Sequence, residues 1–427
     1  MGEFTDHPMR YALANELHAR PFPSMTVPGF AAYLAIKAPQ DAASRDRDAD
    51  RAHLIALLDR FGATHPSPGA THYFGDLGQH TLKWEQHTEF VTYTIFGKGN
   101  SDRAFDPAMF DVFPGDWLAE SPGMRVTSAL IRVEQLEDPD EISEKVTAWM
   151  VPESLAVSSV LDGAAVMAGD FRIDAAGHMR FAVFTATETG KARVGRIVQR
   201  LCEIETYKAL SMLGLATARE LSAQMGPIHN ELSGLVEDMR QPDSRAETTL
   251  HGLLRISAEL ENLLSQSTFR FGATGAYGAL VNQRIEVLRE TRFKGRQTFA
   301  EFMMRRFDPA MRTVQSTESR LRDMAAAAIR AGELLRTQVD VERSAQNQRL
   351  MESMDKRADL QLRLQKTVEG LSVVAVSYYA VNLATYAAYP VIHALDMSKG
   401  MATAILTPLV VLAVWLLVRR IRKSVDH

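Results

Sequence analysis

Two long apolar stretches near the C-terminal end constrain this chain more than any other feature. Residues 370–389 carry no charge between Glu369 and Pro390, and residues 401–418 are more apolar still before Arg419, Arg420, Arg422 and Lys423 end them. A helix of about 20 residues crosses a hydrocarbon core of ~30 Å, so each stretch is long enough to span a bilayer. Together they predict a transmembrane hairpin, and the lipid bilayer as its surroundings. Cations set its orientation: Lys356, Arg357, Arg363 and Lys366 precede the first span, the four basic residues follow the second, and the connector with His393 and Asp396 has only Lys399. Positive residues stay inside, so both termini are expected in the cytosol of a bacterium, with the connector as a short periplasmic turn. Tyr386, Tyr389 and Trp415 fall near the span ends, where amphipathic rings favour the headgroup region.

Upstream, residues 309–365 have no proline after Pro309 and are rich in Ala, Arg, Leu, Glu and Gln, which predicts one long helix. Apolar residues at Val314, Leu321, Ala325, Ala328, Leu335, Val339, Leu350, Met354, Leu360, Leu364 and Val368 approximate a coiled-coil seam, interrupted at Glu342 and Gln346. Continued into the first span, the helix would be roughly 120 Å long at ~1.5 Å per residue, and a helix of that length needs neighbours, from this chain or from identical subunits. The seam then meets Tyr378, Asn382 and Thr385, the pore-lining candidates, with Glu369 at the cytosolic mouth. An amide at membrane depth requires a polar partner. Asn382 is either interhelical glue or part of a ring lining an ion path in a homo-oligomer. Glu369 is either a cation-attracting ring or an interfacial carboxylate in water.

Most of the chain reads as water-soluble, with 46% hydrophobic and 23% charged residues. The N-terminus has no basic and apolar run of a secretory signal. A net charge of -4 argues against nucleic acid as a partner. The single cysteine, Cys202, excludes an intrachain disulfide and is expected to be a small buried hydrophobe. Residues 1–190 mix short alternating runs with turn clusters and predict an α/β domain. Its strands are expected at 29–37, 81–96, 124–133, 154–160, 164–168 and 179–185, and its helices at 49–61 and 138–144. From residue 191 the period is helical: helices over 193–225, 228–239, 244–266 and 275–306, with breaks at Gly226-Pro227 and Gln241-Pro242, make a helical middle reaching residue 308. Residues 309–367 are the stalk helix and 368–427 the hairpin with its basic tail. The fold class is therefore an α+β membrane protein with a cytosolic α/β head, a helical middle, a long stalk helix and two C-terminal transmembrane helices.

The richest chemical window spans residues 72–90. On a strand, Lys83, Glu85, His87 and Glu89 share one face and Trp84, Thr88 and Phe90 the other. Glu85, His87 and Glu89 could ligate a divalent cation, with no cofactor certain, or form a solvated or salt-bridged sheet face. His72, Asp76 and His80 would join a metal only if the intervening turn folds back. Asn15, Glu16, His18 and Arg20 cluster on a short helix that either docks the N-terminus or serves a function. There is no Gly-x-x-x-x-Gly-Lys, Gly-x-Gly-x-x-Gly, Gly-x-Ser-x-Gly or His-Glu-x-x-His, so no enzyme is expected. A hydrolase or transferase using the Glu85, His87, Glu89 face is the remaining catalytic alternative.

Several windows carry a family likeness: His7-Pro-x-Arg10 with 15–22, Asp76-Leu-Gly78 with 82–85 and 87–90, Glu203-Ile-Glu-Thr-Tyr207, and 361–372. On these, the chain resembles domain-of-unknown-function family 3422, uncharacterised bacterial membrane-anchored proteins, over essentially its whole length. That resemblance implies no activity. In layout the chain also looks like the CorA-type divalent-cation channels, which implies a homopentamer conducting along first-span helices. It departs from them at Gly400-Met401-Ala402, where CorA proteins carry Gly-Met-Asn. A membrane-anchored scaffold or sensor without transport activity is the competing expectation.

Overall fold

In the computed structural model, described over residues 5–11, 13–14, 22–39, 42–240, 246–394 and 398–425, strands and helices form two units, Met1–Ala331 and Gly332–His427. The first is organised by a nine-stranded sheet: β1 (Gly29–Lys37), β2 (His72–Leu77), β3 (His80–Gln86), β4 (Phe90–Lys98), β5 (Met124–Gln135), β6 (Ala156–Val160), β7 (Ala165–Gly169), β8 (Met179–Thr185) and β9 (Thr291–Arg292). The strand order is β2-β3-β4-β1-β5-β8-β7-β6-β9. Every neighbouring pair is antiparallel except β5 and β8, which run parallel.

The sequence of β1, Gly-Phe-Ala-Ala-Tyr-Leu-Ala-Ile-Lys, is buried throughout, as a central strand covered on both faces requires. Alternation sends Phe30, Ala32, Leu34 and Ile36 into one core and Ala31, Tyr33 and Ala35 into the other. The first core is closed by helices α1 (Arg47–Arg60), α2 (Gly115–Ala119) and α3 (Pro139–Trp149), through Leu54, Leu57, Leu58, Trp117, Ile142 and Val146. Asp46 caps α1 by accepting from the Asp48 amide at 2.8 Å, and Asp138 caps α3 just before Pro139. The second core lies under α4 (Lys191–Asp238), α5 (Ala246–Glu286) and α6 (Phe299–Arg306), which contribute Val194, Ile197, Val198, Leu201, Ile204, Val281, Ile285, Phe299 and Met303. Each fully buried aliphatic side chain of this kind contributes ~1.5–3 kcal/mol.

Three expectations are corrected. The run over 81–96 is not one strand: β3 ends at Gln86 and β4 begins at Phe90. Arg45 stabilises the turn between them by donating to the carbonyls of His87 (2.8 Å) and Phe90 (3.1 Å), which replaces the glycine or proline that usually marks such a turn. Gly226-Pro227 does not end a helix, because α4 continues through Pro227. Met225, Ile228 and Leu232 are buried on either side, and that packing outweighs the ~3 kcal/mol that an interior proline costs. Likewise α5 is continuous across 267–274, carried by buried Ser267, Phe271 and Thr274, and it stops at Glu286, well short of 306. Gln241, Pro242, Asn15, Glu16, His18, Arg20 and Asp396 lie outside the described residues.

The helix α7 (Asp308–Ala387) begins in the first unit and ends in the second. In its early turns Val314, Leu321, Ala325, Ala328 and Leu335 are buried, whereas Leu350, Met354, Leu360, Leu364 and Val368 of the second unit are exposed. The second unit continues through α8 (Tyr389–Ala394) and α9 (Lys399–Val425). The two apolar stretches found in the sequence lie in α7 and α9, the helices here that are long and apolar enough to cross a membrane among the described residues.

Candidate functional site

Between the sheet and α4 the second core is interrupted by a cavity of about 320 Å³. Strand register builds its floor: Lys83 on β3 is opposite Thr94 on β4, which is opposite Tyr33 on β1, and Glu85 is opposite Thr92. Directly opposed residues share a face. The floor is thus a polar patch within a face that elsewhere presents Ala31, Ala35, Ala129 and Ile131 to the helices. The wall comes from one face of α4, with Gln199, Cys202, Glu203 and Thr206 at helical spacing. Arg284 of α5 and Phe22 of the N-terminal segment complete the rim, and Phe90, Phe96 and Tyr207 supply aromatic surface.

Its charges are mostly paired. The Lys83 ammonium is 2.9 Å from Glu85 Oε2, with both side chains largely buried. Arg284 forms an ion pair with Glu203, which also accepts from Gln199 Nε2 at 2.7 Å. Thr206 donates to the Cys202 carbonyl at 2.8 Å, which leaves its oxygen to accept from the Tyr33 hydroxyl. Among the described residues Gln199 Oε1 is a buried acceptor with no hydrogen-bond donor, and Lys83 Nζ makes no contact to protein acceptors beyond its ion pair with Glu85. Arg200 donates to the Val287 carbonyl at 3.3 Å. Burial first, then the like charges of Arg196 and Arg284, hold its guanidinium below the ordinary value against the pull of Glu203. Burial, assisted by Glu203, pushes the Cys202 thiol well up, so the cysteine is protonated and inert at neutral pH.

The structure does not gather Glu85, His87 and Glu89 as one ligand set. Once β3 stops at Gln86, strand alternation no longer applies: the His87 amide donates to the Phe90 carbonyl at 2.8 Å, and residues 87–89 turn the chain. Glu85 and His87 line the cavity, but Glu89 points elsewhere. It is 1% exposed and is held by Arg270 of α5 through bonds of 3.2 and 2.5 Å, with Lys37 at 3.8 Å. Glu85 and Glu89 each form an ion pair, with Lys83 and with Arg270. His72 faces Glu85 across the β2–β3 hairpin, while Asp76 and His80 sit at its far end. Among the described residues no three His, Cys, Asp or Glu side chains are grouped to hold a metal ion.

In the second unit Tyr378 and Asn382 are exposed, and Thr385 is buried with its hydroxyl donating to the Val381 carbonyl at 2.8 Å. Ser377 and Ala402 are buried as well. Glu369 is half-buried, accepts from Gln365 at 3.5 Å, and lines a groove with Ser372, Val376 and Val418. Within a single chain, two of the three pore candidates are therefore exposed and one is buried.

The cavity is not evident in the sequence, since its residues come from five separated segments. One signal was present: Phe22, Lys83, Glu85, His87, Phe90, Glu203, Thr206 and Tyr207 all belong to windows noted above for their family likeness, and all line it. The family described as protein of unknown function (DUF3422) matches residues 5–425. The chain belongs to this family. No curated protein matches it. The DUF3422 match covers the sheet, the helices over it and the two apolar helices, and its description assigns none of them an activity.

Proposed function

We propose that this chain is an integral protein of the bacterial inner membrane, held by a hairpin of the apolar part of α7 and of α9, with its sheet-bearing head in the cytosol as a scaffold or sensor. The observation that carries this reading is exposure. Only 6% of the apolar window in α7 and 11% of that in α9 is buried, whereas a core helix of a soluble protein with such a composition would be mostly covered. Lipid is the surrounding that suits so much bare Leu, Val and Ile. The few buried positions are the small residues Ser377, Thr385 and Ala402 together with Val414, and small residues favour close packing of helices in a bilayer. Lys399 over Tyr386 at 5.9 Å and Arg419 over Trp415 at 5.0 Å supply cation and ring pairs suited to the two headgroup regions. Binding rather than catalysis fits a cavity whose carboxylates are engaged in ion pairs. Alkaline carbonate should leave the chain in the membrane pellet, a fluorescent protein fused after His427 should glow, and alkaline phosphatase fused there should be inactive. Release into the supernatant would end the membrane reading, and active phosphatase would invert the orientation.

One observation favours a second reading, the oligomeric cation path of CorA-like layout. The Asn382 amide is exposed on an apolar helix and needs a polar partner from another copy. In a pentamer Tyr378, Asn382 and Thr385 would line the path, with Glu369 at its mouth. A monomeric or dimeric protein in detergent would remove this reading. In a pentamer, divalent-ion flux into liposomes should change in Asn382→Leu, and unchanged flux would take Asn382 out of the path.

A further inference from the structure

The rim of the head cavity carries a cluster of guanidinium groups. Arg196 and Arg200 are one helical turn apart on α4 and share a face. Arg200 and Arg284 line the cavity, and the Arg196 guanidinium lies over the ring of Phe22, another rim residue, 5.9 Å from its centroid. The carboxylate within reach of Arg200 is Glu203, which is already paired with Arg284. Half-buried Arg200 makes one long bond, to the Val287 carbonyl at 3.3 Å, of the five that its N–H groups could donate. Burial first, then the like charges of Arg196 and Arg284, already work against its protonation in spite of Glu203. An anion here would relieve that repulsion. Glu85 is not among the charges acting on Arg200, so it does not oppose an anion at the rim. On the floor the chemistry is different. Thr92 and Thr94 are each 6% exposed, line the cavity, and make no side-chain hydrogen bond to protein among the described residues. Glu85, its side chain 13% exposed, is engaged by Lys83 through Oε2, which leaves Oε1 as an acceptor. Phe90, Phe96 and Tyr207 add flat apolar surface, and at about 320 Å³ the space is at the small end of the ~300–1,000 Å³ typical of ligand pockets.

We propose that this cavity binds a phosphorylated monosaccharide, with the phosphate at the rim on Arg196, Arg200 and Arg284 and the sugar over Thr92, Thr94 and Glu85. Guanidinium groups match phosphate oxygens with paired, charge-assisted bonds. Sugar hydroxyls donate to the Glu85 carboxylate and can give to or accept from the threonines, which act in either role. The C–H face of the ring suits the aromatic wall. A lipid headgroup offers the same phosphate but lacks the hydroxylated ring that the floor would hold.

The proposal goes beyond the membrane reading and is tested apart from it, by isothermal titration of the detergent-purified full chain. Glucose 6-phosphate, mannose 6-phosphate and ribose 5-phosphate are the esters, with glucose, inorganic phosphate and dihexanoyl phosphatidate as comparisons. At least one ester should bind about tenfold or more tightly than both glucose and inorganic phosphate, since each of these makes only part of the contacts. Arg200→Gln should cost that ester about tenfold in affinity. Arg196→Gln, an exposed change that leaves the core untouched, should cost several-fold. Thr92→Val should weaken the ester several-fold without altering the affinity for inorganic phosphate. Phosphatidate bound as tightly as the best ester would assign the site to a lipid headgroup and overturn the sugar, and inorganic phosphate bound as tightly would reduce it to an anion site. Absence of saturable binding by every ester would overturn the proposal altogether, as would ester affinity unchanged in both arginine variants. Release of the chain by alkaline carbonate would end the membrane reading and leave this titration intact.

Discussion

Replacing Arg270 by methionine would strand a buried carboxylate. Glu89 is 1% exposed, and its chief partner is the Arg270 guanidinium, with Lys37 more distant at 3.8 Å. Removing one partner of a buried ion pair costs ~3–5 kcal/mol; because Lys37 remains, we expect ~2–4 kcal/mol for Arg270→Met. The double variant Glu89→Leu with Arg270→Met removes carboxylate and guanidinium together and leaves Lys37, which still donates to the Ala38 carbonyl at 3.0 Å, so it should lose less than the single variant, ~1–2 kcal/mol. The loss should also depend on pH. Burial pushes the Glu89 carboxyl up, but hydrogen bonds from Arg270 and Tyr277 and the charges of Arg270 and Lys37 outweigh it and hold the group below its ordinary value. A folded value below the unfolded one, ~4.3 for Glu, gives stability that is complete above the unfolded value and is lost as pH falls through the folded one. Without Arg270, burial prevails and the protonated acid is tolerated. The difference between parent and single variant should therefore shrink as pH falls from 7 toward 4. Urea unfolding of the full chain in detergent, followed by near-ultraviolet circular dichroism of buried Trp84 and Trp117, reads both effects. Equal loss in single and double variants, or a difference that ignores pH, would refute the account.

Two further outcomes follow from the packing around the cavity. A Cβ on Gly195 would be 2.0 Å from the Pro23 carbonyl oxygen, so Gly195→Ala should displace the N-terminal segment from α4, lower stability by ~1–3 kcal/mol and increase proteolysis near Phe22; an unchanged digestion pattern would refute the contact. Cys202 is the chain's one thiol, is 4% exposed, and is held protonated by burial. Alkylation at pH 8 should be slow in the native protein and rapid in denaturant, and fast native labelling would contradict its placement under α4.

Strands were most legible where both cores fix the pattern. The ranges read for β1 and β8 coincide with those observed, because an eight-residue uncharged run between Pro28 and Lys37, and an alternating run ended by Ala186-Thr-Glu, permit little slippage. Errors arose where tertiary contacts override local signals. Nothing in Gln86-His-Thr-Glu-Phe90 announces a turn, since the residue that supports it, Arg45, is about 40 positions earlier. Pro227 reads as a break, yet burial of Met225 and Ile228 carries the helix past it. The segment 267–274 has weak helix formers, and only its buried positions at every third or fourth residue reveal α5. The cavity was legible only as fragments: Lys83 and Glu85 were correctly placed on one face, but the opposing wall on α4 required the fold. Extrapolating that strand face to His87 and Glu89 produced the metal expectation.

The short strand β9 has a consequence for the order of synthesis. It pairs with β6 across a long sequence separation, Ser158 with Arg292, and Arg284 closes the cavity rim only a few residues earlier. Sheet and cavity cannot be completed until the ribosome has passed Arg292, since distant pairings must await the later partner. The first apolar stretch follows roughly 75 residues later, an interval of about 4–15 s at ~5–20 residues per second. The head thus has time to fold before the segments that we propose enter the bilayer leave the ribosome. A variant that delays β9 pairing would then present a half-built sheet and a membrane-seeking hairpin to the cell at the same moment, a circumstance that favours aggregation over assembly.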